Sequence, residues 1–284
     1  MESIPVQKVD LHTHSTASDG SFSPSKIVEE AKKRGISLLS LTDHDTTNGI
    51  SEAISKGKEL GVNVIPGIEV TADTSFLGKG KKRKEFHILG YYFDPEAKAI
   101  KELTEFFHKS RVKRNEELLS RLEELGYDIS YSEMVKRYGT NFGKPNIAKV
   151  LIEKGYFKER EEAIDFLSSL RVRREKMDYR EITRLIKEAG GIAVIAHPVT
   201  LGLSYKELFC FLKKAKEEGI SGIEVYHYKH RPEDVVVFKE MSEELKLVYT
   251  GGSDFHGENK PCIELGFLNI TVEDINFPVP SLTS

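Results

Sequence analysis

The chain has 284 residues, a formal net charge of −3, and 39% hydrophobic and 31% charged residues. That length suits one large domain or one domain with an insertion, and the near-neutral balance argues against a general binder of nucleic acid or membrane surfaces. Two cysteines, Cys210 and Cys262, make no framework, which suits a reducing, cytoplasmic setting; no segment reads as a signal peptide or a membrane span.

The first apolar run, Ile4 to Leu11, reads as a buried strand ending in His12-Thr13-His14. Residues two apart on an extended chain share a side, so both imidazoles leave the strand end together, as ligands of one metal ion would. Asp19-Gly20 adds a carboxylate and a turn. Ser23 and Pro24 supply a cap and a first-turn proline for a helix with Ile27, Val28 and Ala31 on its apolar face. Ile36 to Thr42 is the next strand, ending in Asp43-His44-Asp45, and a helix over Ile50 to Leu60 closes at Gly61. Val62 to Pro66 runs into Gly67-Ile68-Glu69. A hairpin follows, with a basic tip at Lys79 to Lys84 and a return strand from Glu85 to Phe93 that carries His87. Strand and helix alternate with polar residues at the strand ends, the pattern of a parallel α/β barrel or sheet with its active site at the carboxyl edge.

Residues 94–179 break that alternation. Helices are expected over Lys98 to Phe107, Arg111 to Leu125, Tyr131 to Tyr138, Pro145 to Glu153 and Glu161 to Leu170, with no strand between them. This predicts a helical lid domain inserted into a body made of 1–93 and 180–284. Its slight basic excess over an acidic remainder suits an anionic substrate. The alternation then resumes: a helix from Arg180, a strand over Ile192 to Ala196 ending in His197-Pro198, and a helix over Tyr205 to Glu218. Ile223 to Tyr226 leads to His227 and His230; a helix over Pro232 to Leu245 precedes Leu247 to Thr250 and Gly252-Ser253-Asp254-Phe255-His256.

Asp-Leu-His-Thr-His-Ser at 10 to 15, Ser-Asp-Gly at 18 to 20, Thr-Asp-His-Asp at 42 to 45, Gly67-Ile68-Glu69, Ala196-His197-Pro198 and the run from Gly252 to His256 resemble, in order, the motifs of the polymerase and histidinol phosphatase (PHP) family. The resemblance covers about 1 to 95 and 180 to 270. It is nearest to the phosphoesterase branch that includes nucleoside 3′,5′-bisphosphate phosphatases and a 5′-to-3′ exoribonuclease of short RNA. It implies a distorted seven-stranded β/α barrel holding two or three divalent metal ions. The ligands carried over by motif position are His12, His14, Asp19, His44, Glu69, His87, His197, Asp254 and His256. The family arrangement puts His12, His14 and Asp254 on one ion, with Glu69 bridging to a second held by His87 and His197. Asp19, His44 and His256 would hold the third.

Clustered imidazoles and carboxylates suit Mn, Fe or Zn better than Mg or Ca. Asp43 and Asp45 are expected to orient imidazoles from behind. Adjacent divalent ions yield hydroxide near neutral pH and neutralise phosphoryl charge, so hydrolysis needs no protein nucleophile. No Gly-x-Ser-x-Gly or phosphate-binding Gly-x-x-x-x-Gly-Lys loop is present. His12, His14, Glu69, Asp254 and His256 are thus the expected catalytic centre, with His230 as candidate general acid. In the insertion, Arg111 and Arg114 share a helix face at spacing three and suit a phosphate. Lys144-Pro145-Asn146 stands where the branch usually has a basic residue, Pro and His, so Asn146 departs from the pattern. The expected activity is hydrolysis of a small nucleotide phosphate, of the 3′,5′-bisphosphate type, or of the 5′ end of short RNA, with no membrane or stable protein partner. The alternatives are a histidinol-phosphate-type phosphatase and a non-catalytic, metal-stabilised module.

Overall fold

A computed structural model describes residues 7–77, 85–140 and 142–279. The basic hairpin tip expected at Lys79 to Lys84 lies outside them. In chain order the elements are β1 (Lys8–Thr13), α1 (Pro24–Lys33), β2 (Ile36–Leu41), α2 (Ile50–Leu60), β3 (Asn63–Thr71), β4 (His87–Tyr91), α3 (Lys98–Glu124), α4 (Tyr131–Tyr138), α5 (Lys144–Glu153), α6 (Arg160–Ser169), α7 (Tyr179–Glu188), β5 (Ile192–Ile195), α8 (Tyr205–Glu217), β6 (Gly222–Tyr226), α9 (Pro232–Leu245) and β7 (Val248–Gly251). They form two compact units, Met1–Leu103 with Met177–Ser284, and Thr104–Lys176. No helix among the described residues is long and apolar enough to cross a membrane.

The first unit is an α/β structure built on a seven-stranded sheet in the order β1 to β7. The sheet is mixed rather than parallel. β1, β2 and β3 run parallel, β4 is antiparallel to both β3 and β5, and β5, β6 and β7 are again parallel. β4 runs back along β3, with Gly67 opposite Tyr91 and Thr71 opposite His87, and it meets β5 in the same sense, Ile88 opposite Ile195. At the far edge the sheet curls back on itself. His14 N donates to Phe255 O and Asp254 N donates to His12 O, at 2.9 and 2.8 Å, so the segment after β7 pairs with the end of β1.

Two apolar layers hold this sheet. Inside the curl lie Val9, Leu11, Leu38, Ile65, Leu89, Tyr91, Val194 and Ala196. Tyr91 in β4 reaches across to β1, its hydroxyl donating to Leu11 O at 2.9 Å. Outside, Leu39 and Leu41 pack with Ile27, Val28 and Ala31 of α1 and Ala53 of α2. Neighbouring residues of β2 therefore serve opposite faces, as a strand covered on both sides must. The caps follow local chemistry: Ser23 Oγ accepts from Lys26 N at 3.2 Å to start α1, and Ser204 with Glu207 forms a reciprocal capping box at α8.

The second unit is helical, with Leu118, Leu122, Ile129, Met134, Phe142, Ile147, Leu151 and Leu167 in its core. Where two helices were expected over 98–107 and 111–125, there is one continuous α3. No Gly or Pro interrupts 108–110, and the buried Ser110 turns its hydroxyl onto Glu175 O at 3.1 Å, so nothing there favours a break.

Gly252 makes the closure of the sheet possible. A Cβ there would stand 2.3 Å from His12 N and 2.4 Å from His12 Cβ. Gly252→Ala must push the chain after β7 off β1, at about 1–3 kcal/mol. The expected result is a lower melting temperature with weakened metal binding, and an unchanged melting curve would contradict this account of the closure.

Candidate metal centre

Six of the seven strands bring residues to one edge of the sheet. His12 is on the last turn of β1, with His14 just beyond it; Glu69 lies in β3; His44, His197, Asp254 and His256 follow β2, β5 and β7. His87 opens β4 instead of following an apolar run, and the antiparallel direction of β4 brings that end to the same edge. Asp45, His197 and Asp254 have φ of 57°, 23° and 55°, a left-handed region costly for residues with a Cβ and typical of chain bent to aim side chains at a site.

Glu69 is the hub. Its Oε1 lies 2.8 Å from His87 Nδ1 and 2.9 Å from His197 Nε2. Its Oε2 lies 3.4 Å from His12 Nε2, 3.3 Å from His14 Nε2 and 3.1 Å from His44 Nδ1. Asp254 Oδ1 stands 3.7 Å from His12 Nε2 and 3.2 Å from His14 Nε2. On the outer side, Asp19 lies 3.2 Å from His256 Nε2 and 3.9 Å from His44 Nε2; its side chain is 44% exposed, while those of His12 and His14 are fully buried. All nine residues singled out by motif position are thus brought together. They form overlapping sets that could each hold an ion: His12, His14 and Asp254; His12, Glu69 and His197; His44, Glu69 and His87; and His14, Asp19, His44 and His256.

His87 and His197 hydrogen-bond Glu69 Oε1, whereas the contacts to its Oε2 have the spacing of ligands around an ion. His12 Nε2 and both ring nitrogens of His14 are buried without a hydrogen-bond partner, although carboxylate oxygens stand close by. Ligand atoms bound about 2.1 Å from one ion lie about 3.0–3.4 Å apart, the spacing found around Glu69 Oε2. Buried polar atoms normally find partners, so the donor set fits divalent cations.

Electrostatics agree. Against the penalty of burial, Glu224, Glu69 and Asp254 hold the His12 imidazole well above its usual range, and the approach of Asp254 and Glu69 lifts His14 to about 9. Against the same penalty, His44, His87 and His12 hold Glu69 well below the carboxylate range. Burial pushes His44 down to about 3 despite Glu69 and Asp19. A cation entering the cluster would displace the protons of His12 and His14, which couples its binding to pH.

A supporting layer includes a residue that sequence reasoning missed. Glu224, fully buried in β6, accepts from His12 Nδ1 at 2.8 Å and from His197 N at 2.7 Å. It fixes the His12 tautomer so that Nε2 faces Glu69 and Asp254. A lone acid inside the apolar run Ile223 to Val225 was the available signal. His227 Nδ1 accepts from Lys229 N at 3.1 Å, which turns its Nε2–H toward Asp254 Oδ2 at 3.4 Å. Asp43, expected to orient an imidazole, instead accepts from Ser15 N, Ser15 Oγ and Ser18 Oγ at 2.7, 2.6 and 2.5 Å. It holds the loop that carries Asp19. Asp45 accepts from Thr71 N at 3.0 Å.

The remaining expected residues make other contacts. His230 donates from Nδ1 to Val225 O at 2.7 Å and packs edge-on against Phe238, one ring behind His227 and outside the cluster. In the helical unit, Arg114 is 7% exposed, with its Nε lacking a partner; burial, then Arg174 and Arg111, push its guanidinium down from its ordinary range. Lys144 Nζ donates to Ser168 Oγ at 3.2 Å. Asn146 Oδ1 accepts from Gly143 N at 2.8 Å and so caps α5; the amide that replaces the expected imidazole is engaged in the backbone.

Comparison with known proteins agrees with this geometry. The PHP domain model matches residues 10–189. A phosphoribosyl 1,2-cyclic phosphate 1,2-diphosphodiesterase of Eggerthella lenta is 33% identical over 91% of this chain and 97% of its own length. A 5′-3′ exoribonuclease of Haemophilus influenzae is 32% identical over 96% of this chain and 98% of its own. Among solved structures, a Bifidobacterium adolescentis protein assigned as a metal-dependent phosphoesterase superposes with a TM-score of 0.78 at 28% identity, covering 95% of this chain and 94% of that one. The matched domain and the near full-length relatives settle the assignment: the chain belongs to the PHP domain family.

Proposed function

We propose that this chain is a metal-dependent phosphoesterase that hydrolyses a small nucleotide phosphate, of the 3′,5′-bisphosphate type, or the 5′ end of a short RNA. The observation that carries this reading is the convergence of buried, partnerless imidazole nitrogens on carboxylate oxygens at ligand spacing around Glu69. The relatives' named activities, a cyclic phosphate diphosphodiesterase and an exoribonuclease, support phosphate-ester chemistry on ribose-containing substrates. Two or three ions of Mn, Fe or Zn would be held by His12, His14, Asp19, His44, Glu69, His87, His197, Asp254 and His256.

When bound, such ions supply a water acidic enough to ionise near neutral pH and neutralise charge on the phosphoryl oxygens. The protein's part is placement. Glu69 offers one oxygen to each side of the cluster, so it is the carboxylate that two ions would share. The buried His12 and His14 keep bulk water from that point, while the exposed Asp19 marks the side open to solvent. In the reaction, water adds its oxygen to phosphorus and the P–O bond to the leaving group breaks. The leaving oxygen takes up a proton, giving an alcohol and phosphate from a monoester, or an alcohol and a phosphate monoester from the diester of an RNA.

A panel of nucleoside 3′,5′-bisphosphates, short RNAs, a phosphoribosyl cyclic phosphate and histidinol phosphate tests the reading on protein stripped of metal and reloaded with Mn, Fe or Zn. The expected outcome is turnover of a nucleotide or RNA substrate that disappears with chelator and returns with metal, with two or three ions per chain by elemental analysis. His14→Ala and Asp254→Ala should each abolish it with little change in helix content. Turnover that survives chelation, or a preference for histidinol phosphate, would refute the proposal.

Glu224 permits a second check. Glu224→Gln should weaken metal binding by about 10- to 100-fold, read by competition with a chelator, while the far-ultraviolet spectrum stays as in the parent. Equal affinity in the two proteins would mean that Glu224 does not set the His12 tautomer.

A further inference from the structure

The loop after β7 brings a cation to the cluster that ligand chemistry alone does not require. Lys260 Nζ donates to Asp254 Oδ2 at 2.7 Å, with 31% of the lysine side chain exposed. Asp254 is thereby divided: Oδ1 faces His12 and His14, and Oδ2 faces Lys260 and His227. A carboxylate already surrounded by imidazoles gains nothing as a metal ligand from an ammonium, since that charge repels the ion it would help to bind. Only one of the three N–H donors of Lys260 is spent on Asp254, and the side chain reaches solvent.

The ammonium is also held in place. Ser21 N donates to His256 O, Glu258 N to Ser21 Oγ and Asn259 Nδ2 to Asp19 O, at 3.1, 2.8 and 2.8 Å, which pins the loop before Lys260 to the segment carrying Asp19. Tyr228 lies beside it, with Lys260 Nζ and Lys229 Nζ each 5.5 Å from the ring centroid and the ring 4.6 Å from that of His227. A cation near an aromatic face keeps its position at low cost. A fixed ammonium one carboxylate away from the metal-binding point is placed to meet an anion bound there.

We propose that Lys260 is a catalytic residue that binds a non-bridging oxygen of the scissile phosphoryl group, while remaining on Asp254 Oδ2. This rests on the phosphoesterase reading above. The contact gains strength as charge builds on the phosphoryl oxygens, so it favours the transition state over the ground state. Inorganic phosphate, as the product, should use the same contact.

The test compares Lys260→Met, which keeps the stem and removes the charge, and Lys260→Arg with the parent protein at saturating Mn. Calorimetric titration with inorganic phosphate should show affinity about tenfold or more weaker in Lys260→Met, the usual size of a hydrogen bond to a charged group. Lys260→Arg should recover most of that loss. kcat/KM should fall by at least as much, while elemental analysis finds the metal content unchanged. Phosphate affinity equal to the parent's would overturn the proposal, as would a loss of bound metal whose restoration also restores phosphate affinity, since Lys260 would then only orient Asp254. Absence of metal-dependent turnover in the parent protein would instead refute the phosphoesterase reading, an outcome separate from the phosphate titration.

Discussion

The structure depends on one buried carboxylate. Glu69 is taken from water with both oxygens committed, one to His87 and His197, the other to His12, His14 and His44. Burying a charge is tolerable only where partners compensate for it, and here five imidazoles from β1, β4 and the segments after β1, β2 and β5 do so. Bringing them together joins those strand ends at one edge. A cluster of this kind is poor evidence for stability, because desolvation can exceed what the pairing returns. Its organisation makes sense as the cradle of an ion that the protein keeps available at the cost of local strain, seen in the positive φ of Asp45, His197 and Asp254.

Two further devices hold the edge in register. The first is the closure of the sheet, where Gly252 lets the segment after β7 lie against His12 and places Asp254 on the other side of the same point. The second is a layer of acids behind the imidazoles. Glu224 sets the tautomer of His12 and ties down the backbone of His197. Asp43 shapes the loop bearing Asp19. Asp10, which accepts from Ser253 N at 2.9 Å and Gly266 N at 2.8 Å, fastens the chain after β7 to β1. Each buried acid has donors, as a low-dielectric interior demands.

The helical unit shows how a single replacement changes what a motif can do. Asn146 uses its side chain to cap α5, a task suited to a short polar group near a helix N-terminus, and its carbonyl oxygen is occupied by Gly143 N. Arg114 is buried, and burial together with the like charges of Arg174 and Arg111 holds its guanidinium below the ordinary range.

Local sequence was enough to determine the helices and most strands, because Ser23-Pro24, Gly61 and the alternation of apolar runs act through neighbouring backbone. The motif residues His12, His14, Glu69, Asp254 and His256 were legible for the same reason: each stands beside a turn or strand end that its own sequence marks. Tertiary structure decided the rest. The expected return strand already implied that β4 runs against β3; its second antiparallel pairing, with β5, joins residues about a hundred apart and is set only by the assembled sheet. Glu224 could be seen as an acid in an apolar strand, but its partnership with His12 spans 212 residues and exists only once the sheet has curled. Contacts within a turn are set by covalent neighbours and legible as pattern, whereas contacts between distant strands are set by closure of the sheet, which the chain reaches only as a whole.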